Sequence, residues 1–126
     1  MSVYNTVVME HFRNPRNHGR LEKYDFTSGD QNPSCGDSIA IDGRVENGKI
    51  VALGFESHGC AVNKAAASMV TEAVIGKTLD EILALDKNFV LGLLGLELGP
   101  NRIKCALLGL MALQQGVAAY KKKISA

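Results

Sequence analysis

The chain has 126 residues, a formal net charge of +1, three cysteines and no tryptophan. This length fits a single domain over residues 1–126, which can bury about two-thirds of its unfolded surface without disulfides. The near-zero charge argues against a dedicated nucleic-acid-binding protein, and no apolar run approaches the roughly 20 residues of a membrane span. The N-terminus lacks the basic start and apolar stretch of a secretory signal, so we expect a cytoplasmic protein with reduced thiols.

The first third of the chain is predicted to contain one helix and two loops. Residues 3–12 have the apolar spacing of a short amphipathic helix that begins at Ser2. Residues 13–19 and 27–37 are rich in glycine, proline and short polar side chains, which favours loops, and Cys35 lies within the second of them.

The period of the apolar residues then changes to two, which predicts a β-hairpin over residues 38–57. The pair Asn47-Gly48 is a strong signal for the hairpin turn. The larger face of the return strand is predicted to comprise Val51, Leu53 and Phe55.

The remainder is predicted to be mainly helical. Residues 61–75 are alanine-rich and are followed by Gly76, a residue typical of the position just after a helix. Residues 78–81 form a capping box for a second helix, and residues 89–98 are a short apolar segment. A last helix is predicted over residues 101–123. Its apolar face is predicted to comprise Ile103, Leu107, Leu110, Leu113 or Gln114, Val117, Tyr120 and Ile124. Strands early and helices late indicate the α+β class.

The three cysteines cannot all pair within the chain, so they need another explanation. Cys35 is predicted in a loop, Cys60 at a strand-to-helix junction and Cys105 in the first turn or so of the last helix. Loops and helix N-termini lower the pKa of a thiol and favour the thiolate. None of the three is clearly placed on an apolar face, which favours a shared metal or sulfur site. The separations of 25 and 45 positions are equally typical of unrelated cysteines buried in a core.

Asp37 adds a fourth candidate ligand. It follows Cys35 by two positions across Gly36, and glycine allows a tight turn that points both side chains at one centre. Three thiolates and one carboxylate suit a tetrahedral zinc ion, or an iron–sulfur cluster with a replaceable oxygen ligand. The alternative is that Asp37 is an ordinary turn or capping residue.

At these positions the sequence resembles the IscU/NifU-type family of iron–sulfur cluster assembly scaffold proteins, over almost the whole chain. Each matching segment is short, but their order and placement together are highly specific. The matching segments are residues 11–17, 35–37, 59–60, 71–72, 76–81 and 104–105.

The resemblance implies a scaffold and carrier rather than an enzyme. A 2Fe–2S cluster would be assembled with sulfur from a cysteine desulfurase and passed to apo iron–sulfur proteins, with a chaperone pair as a further expected partner. Cys35, Cys60 and Cys105 would be the ligands and Asp37 the residue associated with cluster lability, and zinc could occupy the same site in the apo form. The implied fold is a small antiparallel sheet, the hairpin plus a third strand, packed against several helices.

The sequence departs from the family pattern in three places. Lys104 stands where IscU and NifU proteins usually carry histidine, and a protonated lysine cannot ligate, although it could pair with Asp37 or with an anionic cluster. The zinc-binding SufU branch also has a basic residue there, but the 45-position gap leaves no room for that branch's long insertion. Residues 98–102 differ from the family's chaperone-docking stretch, which puts dependence on a chaperone in doubt.

Two other functions remain open at this point. One is a zinc-dependent persulfide acceptor, or sulfurtransferase, of the SufU type. The other is a thiol enzyme with a cysteine nucleophile and His58 as base, which leaves two cysteines unexplained. A basic segment, comprising Arg13, Arg16, His18 and Arg20, is either a solvated loop or a docking patch for the desulfurase.

Overall fold

A computed structural model of the protein describes residues 5–33, 36–95 and 97–125. Three strands form one antiparallel sheet in the order β1-β2-β3, and helix α5 packs on β1 and β2 while also contacting α2. The predicted α+β class, with a sheet packed against several helices, is therefore confirmed. The elements are α1 Thr6–Arg13, β1 Phe26–Asn32, β2 Asp37–Glu46, β3 Lys49–His58, α2 Ala61–Val74, α3 Leu79–Leu83, α4 Lys87–Leu94 and α5 Pro100–Ser125.

The predicted hairpin consists of β2 and β3, joined at Asn47 and Gly48. Both turn residues have positive φ, 54° and 75°, as the tight turn that matches the twist of the strands requires. The Asn-Gly signal was therefore sufficient to locate the turn.

A β-bulge alters which side chains of β3 are buried. The register shifts between Arg44 and Val45, so that Val51 is the extra residue on β3. Ile50 is fully buried, whereas Val51 is 39% exposed. The prediction that Val51 belongs to the larger buried face of the return strand is wrong, because the bulge reverses the alternation at this point.

Residues 26–32 form the edge strand β1, although most of them were predicted to be a loop. The strand pairs along its length with β2 and is covered by α5. Phe26 is 6% exposed, and the centre of its ring lies 6.3 Å from that of Tyr120 on α5. Because the helix contributes much of the apolar surface, the strand itself has little of the alternation that would reveal it. The third strand that the family resemblance implied is thus present.

The junction between α2 and α3 follows the sequence prediction closely. Helix α2 ends at Val74 and is followed by Gly76 with a φ of 97°. In the capping box, the Thr78 hydroxyl accepts the Glu81 backbone N–H at 3.1 Å and the Glu81 carboxylate accepts the Thr78 backbone N–H at 2.9 Å. Both predicted helix boundaries are confirmed.

Helix α1 begins later than predicted. The Asn5 side chain accepts the Val8 backbone N–H at 2.8 Å and caps the helix, whose first residue is Thr6. Ser2, the predicted start, lies outside the described residues.

Part of the apolar segment at residues 89–98 is helical. Helix α4 is capped by the Asp86 side chain, and it ends at Gly95 in the left-handed conformation. These two boundary residues are the local signals that the sequence prediction did not use.

Helix α5 is long and apolar enough to cross a membrane by length and composition, but half of the relevant window is buried within the protein. It is the core helix of the fold. The predicted apolar face was partly wrong, because Ile124 is 61% exposed and Leu107 is only half-buried. The buried residues of α5 are Cys105, Ala106, Leu108, Gly109, Leu110, Ala112, Leu113, Gly116 and Val117.

Helices α2 and α5 approach closely at Gly109. A Cβ atom on this residue would lie 3.3 Å from Ala67 Cα and Cβ and 3.5 Å from Ile39 Cδ1. Gly109 lies one helical turn after Cys105, so the close approach also sets how deeply that cysteine is seated.

Candidate metal centre

Three of the four predicted ligands converge on one point. The donor atoms of Asp37, Cys60 and Cys105 all lie within 4.8 Å of one another. Asp37 is the first residue of β2, Cys60 caps the N-terminus of α2, and Cys105 lies in the second turn of α5. Cys35, the fourth predicted ligand, lies outside the described residues.

Asp37 and Cys60 are joined by two hydrogen bonds. The Cys60 backbone N–H donates to Asp37 Oδ1 at 3.1 Å, and the Cys60 thiol donates to Asp37 Oδ2 at 3.2 Å. Asp37 is only 3% exposed, so its carboxylate is held against the start of α2. The bond from the Cys60 N–H fits the predicted alternative of a capping residue, whereas the bond from the Cys60 thiol is a contact that capping does not require.

Gly59 permits this contact between Asp37 and Cys60. Its φ is 122°, and a Cβ atom at this position would lie 1.9 Å from Asp37 Oδ1. No side chain larger than hydrogen fits there while the carboxylate keeps its place. In the sequence Gly59 is identifiable only as part of the Gly59-Cys60 motif, because its steric role depends on where the Asp37 carboxylate lies in the fold.

The environment of Cys60 favours the protonated thiol. Burial raises the pKa of the Cys60 thiol, the backbone N–H of Asn63 opposes that effect, and the hydrogen bond and charge of Asp37 raise the pKa further. The N-terminus of α2 therefore lowers the pKa of the Cys60 thiol as expected, through the Asn63 N–H, but burial and Asp37 outweigh it and the net shift is upward. A cation bound between the carboxylate and the sulfur would replace this proton, since the thiolate is the form that ligates.

Cys105 departs from its predicted surroundings. It is 4% exposed and lies on the buried face of α5, whereas none of the cysteines was predicted to lie clearly on such a face. Its sulfur nonetheless faces the other two donors rather than an apolar core alone.

Asn63 is a residue of this centre that the sequence analysis missed. Its side chain is 1% exposed, and its Nδ2 donates to the backbone oxygens of Ser38 at 3.1 Å and His58 at 3.2 Å. A polar residue in the first turn of a helix that begins at a candidate ligand is the signal that could have identified it.

His58 and Lys104 remain at the periphery. Both side chains are exposed. The backbone oxygen of His58, rather than its imidazole, takes part in the hydrogen bonding around the centre. The pairing of Lys104 with Asp37 or with an anionic cluster stays a prediction.

Much of the basic segment serves the fold. Arg20 binds Asp42 through two hydrogen bonds of 2.8 and 2.9 Å, and Arg16 forms ion pairs of 3.6 Å with Glu72 and 3.8 Å with Glu10. Burial opposes ionisation of Asp42, but the hydrogen bonds from Arg20 and its neighbours hold the pKa of that carboxyl below its usual value. These contacts reduce the charge that the segment presents to a partner.

The donor set fits a thiophilic metal. Tetrahedral zinc has zinc–sulfur distances of about 2.3 Å, which places its donor atoms about 4 Å apart. Two thiols and a carboxylate within 4.8 Å of one another meet that requirement, and the same set suits iron bound to sulfide. These three residues would hold such a group with modest adjustment of their side chains.

The chain matches the family model described as the NifU-like N terminal domain over residues 3–126. It is 34% identical over 134 residues to the zinc-dependent sulfurtransferase SufU of Bacillus subtilis, covering 93% of this chain and 90% of that protein. It is 36% identical over 125 residues to the iron–sulfur cluster assembly scaffold protein IscU of Haemophilus influenzae, covering 96% and 98% of the two chains.

The fold also agrees with solved structures. The N-terminal part of a nitrogen-fixing NifU-like protein from Brucella abortus superposes with a TM-score of 0.80 over 96% of each chain, at 21% identity. The family model spans nearly every residue, and the relatives align over almost their full lengths. The chain therefore belongs to the IscU/NifU-type family, as a NifU-like N-terminal domain.

Proposed function

We propose that the chain is a scaffold on which an iron–sulfur cluster, of the 2Fe–2S type, is assembled and then transferred to apo acceptor proteins. The observation that carries the proposal is the convergence of Asp37, Cys60 and Cys105 from three separate elements. Membership of a family that includes scaffold proteins supports it.

The donor types suit temporary binding. Thiolates are strong ligands for iron in sulfide clusters, whereas a carboxylate oxygen is a harder and weaker partner. In this proposal Cys60, Cys105 and Cys35 hold the cluster through their thiolates. Asp37 provides the weaker fourth ligand, so the cluster is readily released. The cluster is cargo, and the chain acts as a carrier rather than as an enzyme.

The expected partners follow from the same chemistry. A cysteine desulfurase would supply persulfide sulfur, and Cys60 is partly exposed, so an incoming sulfur can reach it. Apo iron–sulfur proteins would accept the cluster. Involvement of a chaperone pair and a cytoplasmic location remain predictions from the sequence.

A second candidate function is a zinc-dependent persulfide acceptor of the SufU type. The 34% identity to SufU, the basic residue Lys104 and the suitability of the donors for zinc support it. The alignment with SufU spans 134 positions, more than the 126 residues of the chain, so part of SufU has no counterpart here. The alignment with IscU of Haemophilus influenzae needs 125 positions, but that with the scaffold protein IscU of Streptococcus pyogenes needs 132, so the length of the alignment does not separate the two functions.

Anaerobic purification followed by analysis of iron, sulfide and zinc separates the two candidates. The scaffold is expected to take up iron and sulfide on reconstitution and to develop the visible spectrum of a 2Fe–2S cluster. Stoichiometric zinc that iron and sulfide cannot displace would favour the SufU-type function. A colourless metal-free protein with thiol-dependent turnover would favour the thiol enzyme with His58 as base.

The role of Asp37 has its own test. Reconstituted Asp37→Ala is expected to hold a cluster that decays more slowly than the wild-type cluster. The reason is that the variant lacks the carboxylate that, in this proposal, makes the cluster labile. Asp30→Ala is the matched control, since Asp30 lies at the same end of the sheet and bonds to Gln31 and Gln115 instead. A cluster in Asp37→Ala that decays as fast as in the wild type would contradict this role.

A further inference from the structure

Asn63 occupies an unusual place for a polar side chain. It is the third residue of α2, directly after Cys60 and Ala61-Val62, and it is 1% exposed. The α2 residues around it are mostly alanine or apolar, so nothing in the amphipathic pattern of the helix calls for an amide here.

The amide group bridges two strands where they end. Ser38 and His58 are register partners on β2 and β3, and Asn63 Nδ2 donates to the backbone oxygens of both, at 3.1 and 3.2 Å. Ser38 follows Asp37, and His58 precedes the Gly59-Cys60 pair. One side chain therefore ties together the two chain segments that carry Asp37 and Cys60.

The bridge comes at an energetic cost. Asn63 Oδ1 is buried and has no hydrogen-bond partner among the described residues, which costs about 1–3 kcal/mol for an unsatisfied polar group. Turning the amide over would place this oxygen against two carbonyl oxygens, so its orientation is fixed by the strands. An apolar residue would avoid the cost but would leave the strand ends untied.

We propose that Asn63 is a positioning residue of the metal centre. By fixing the ends of β2 and β3 relative to α2, it holds Asp37 within 3.1 Å of the Cys60 backbone N–H and 3.2 Å of the Cys60 sulfur. This inference rests on the proposed function of the site as a metal or cluster centre. Residues that hydrogen-bond directly to a metal ligand typically contribute about 10–100-fold to metal affinity, and Asn63 acts one step further out, through backbone oxygens beside Asp37 and Cys60.

The test compares Asn63→Ala and Asn63→Ser with Val74→Ala. Val74 is fully buried at the other end of α2, so its truncation lowers stability without touching the centre. Zinc affinity is measured by competition with a chelator, and the visible absorption of the cobalt-substituted protein reports ligand geometry. Thermal unfolding of each protein measures the loss of stability separately.

We expect Asn63→Ala to weaken zinc binding about tenfold, the lower end of the range for groups that orient metal ligands, and to alter the cobalt spectrum. Asn63→Ser should behave like Asn63→Ala, because its hydroxyl oxygen lies one atom nearer the backbone than the amide nitrogen, and it keeps the test usable if the alanine variant does not fold. Val74→Ala should lower the unfolding temperature while keeping wild-type zinc affinity.

Wild-type zinc affinity and an unchanged cobalt spectrum in both Asn63 variants would overturn the inference alone. A loss of affinity in Val74→Ala as large as that in Asn63→Ala would also overturn it, since the effect would then reflect general stability. Failure of the wild-type protein to bind zinc, cobalt or a cluster would overturn the proposed function together with the inference that rests on it.

Discussion

Helix α2 contributes to two polar clusters, each of which has a buried part and an exposed part, and the two differ in how their groups are paired. The thiol cluster, at the first turn of the helix, comprises Asp37, Cys60, Asn63 and Cys105. The serine cluster, near the middle of the helix, comprises His11, Arg16, Ser68 and Glu72. Both fasten neighbouring segments to α2, but their hydrogen-bonding groups are balanced differently.

In the serine cluster the donors and acceptors match. The Ser68 hydroxyl oxygen accepts the Arg16 backbone N–H at 2.8 Å and forms a second hydrogen bond with His11 Nδ1 at 2.7 Å, whose direction depends on the imidazole tautomer. His11 Nε2 faces the Glu72 carboxylate at 3.7 Å, and the Arg16 guanidinium lies 3.6 Å from the same carboxylate. The contacts of this cluster are all made between protein groups, and they hold α1 and the following loop to α2.

The thiol cluster is not balanced in this way. The Asp37 carboxylate accepts a hydrogen bond from the Cys60 thiol and raises the pKa of that thiol. Asn63 Oδ1 has no hydrogen-bond partner among the described residues. Two sulfurs and a carboxylate close together are a poor protein-only network but a suitable ligand set for a cation. The difference between the clusters is one of chemistry: the serine cluster joins segments of the fold, whereas the donor set of the thiol cluster suits a cation.

The largest expected effect is the loss of metal affinity when a candidate ligand of the thiol cluster is removed. Cys105→Ser should weaken zinc or cobalt binding by more than about 100-fold, because loss of a ligand exceeds the loss of a residue that only orients one. Chelator competition measures the affinity. Ser68→Ala is the control from the serine cluster, and equal losses in the two variants would remove the distinction between the clusters.

A pair of glycine substitutions tests the geometry of the thiol cluster. Gly59→Ala should displace the Asp37 carboxylate and weaken metal binding by about tenfold or more. Gly76→Ala is matched to it, because Gly76 also has positive φ, 97°, but has open space around its Cα. It should lose only about 1–2 kcal/mol of stability from backbone strain and keep its metal affinity. Normal metal affinity in Gly59→Ala would contradict the steric role of Gly59.

In the serine cluster, Ser68→Ala should lower the free energy of unfolding by about 1–3 kcal/mol, since it leaves the Arg16 backbone N–H and His11 Nδ1 without their shared partner. Chemical denaturation measures this change. Metal affinity should remain that of the wild type, and a stability within error of the wild type would show that the cluster is not structural.

The smallest expected effect is a pH dependence of stability through His11. Burial lowers the pKa of His11 below 6.5 and the charge of Arg16 adds to this, while Glu72 and Glu10 oppose it. Between the lowered value and 6.5 the unfolded chain binds more protons, so the free energy of unfolding falls as the pH falls through that window. Unfolding temperatures measured between about pH 5 and pH 7 should vary less in His11→Asn, whose amide oxygen can still accept from Ser68. An identical dependence in both proteins would exclude His11 as its source.

Local signals in the sequence predicted those parts of the fold that local contacts determine. The Asn47-Gly48 turn and the Thr78–Glu81 capping box are complete within a few residues, and both were predicted correctly. Strand β1 and the bulge at Val51 were not, because the first depends on cover from α5 and the second on the register with β2. Such pairings join residues distant in sequence and leave little local trace.

The residues of the candidate site also fall into two groups, those that the sequence identifies and those that only the fold identifies. Asp37, Cys60 and Cys105 could be named as candidates because the motifs resemble a known family, whereas their positions alone left buried core cysteines and a turn or capping aspartate equally open. Gly59 and Asn63 could not, because their roles depend on where the Asp37 carboxylate and two strand carbonyls lie in space. A single sequence therefore identifies the candidate donor atoms. The residues that hold those donors in position can be identified only in the folded structure.

The close approach of α5 to α2 at Gly109 influences the distance between the Cys105 sulfur and the donor atoms of Asp37 and Cys60. Gly109 has no side-chain donor atom, yet its contact with Ala67 limits how near Cys105 can come to the start of α2. Adding a methyl group at position 109 would push α5 outward by a few tenths of an ångström and carry the Cys105 sulfur with it. Such a shift would change the distance between the Cys60 and Cys105 sulfurs from the interior of the helix pair, with every candidate ligand left unchanged.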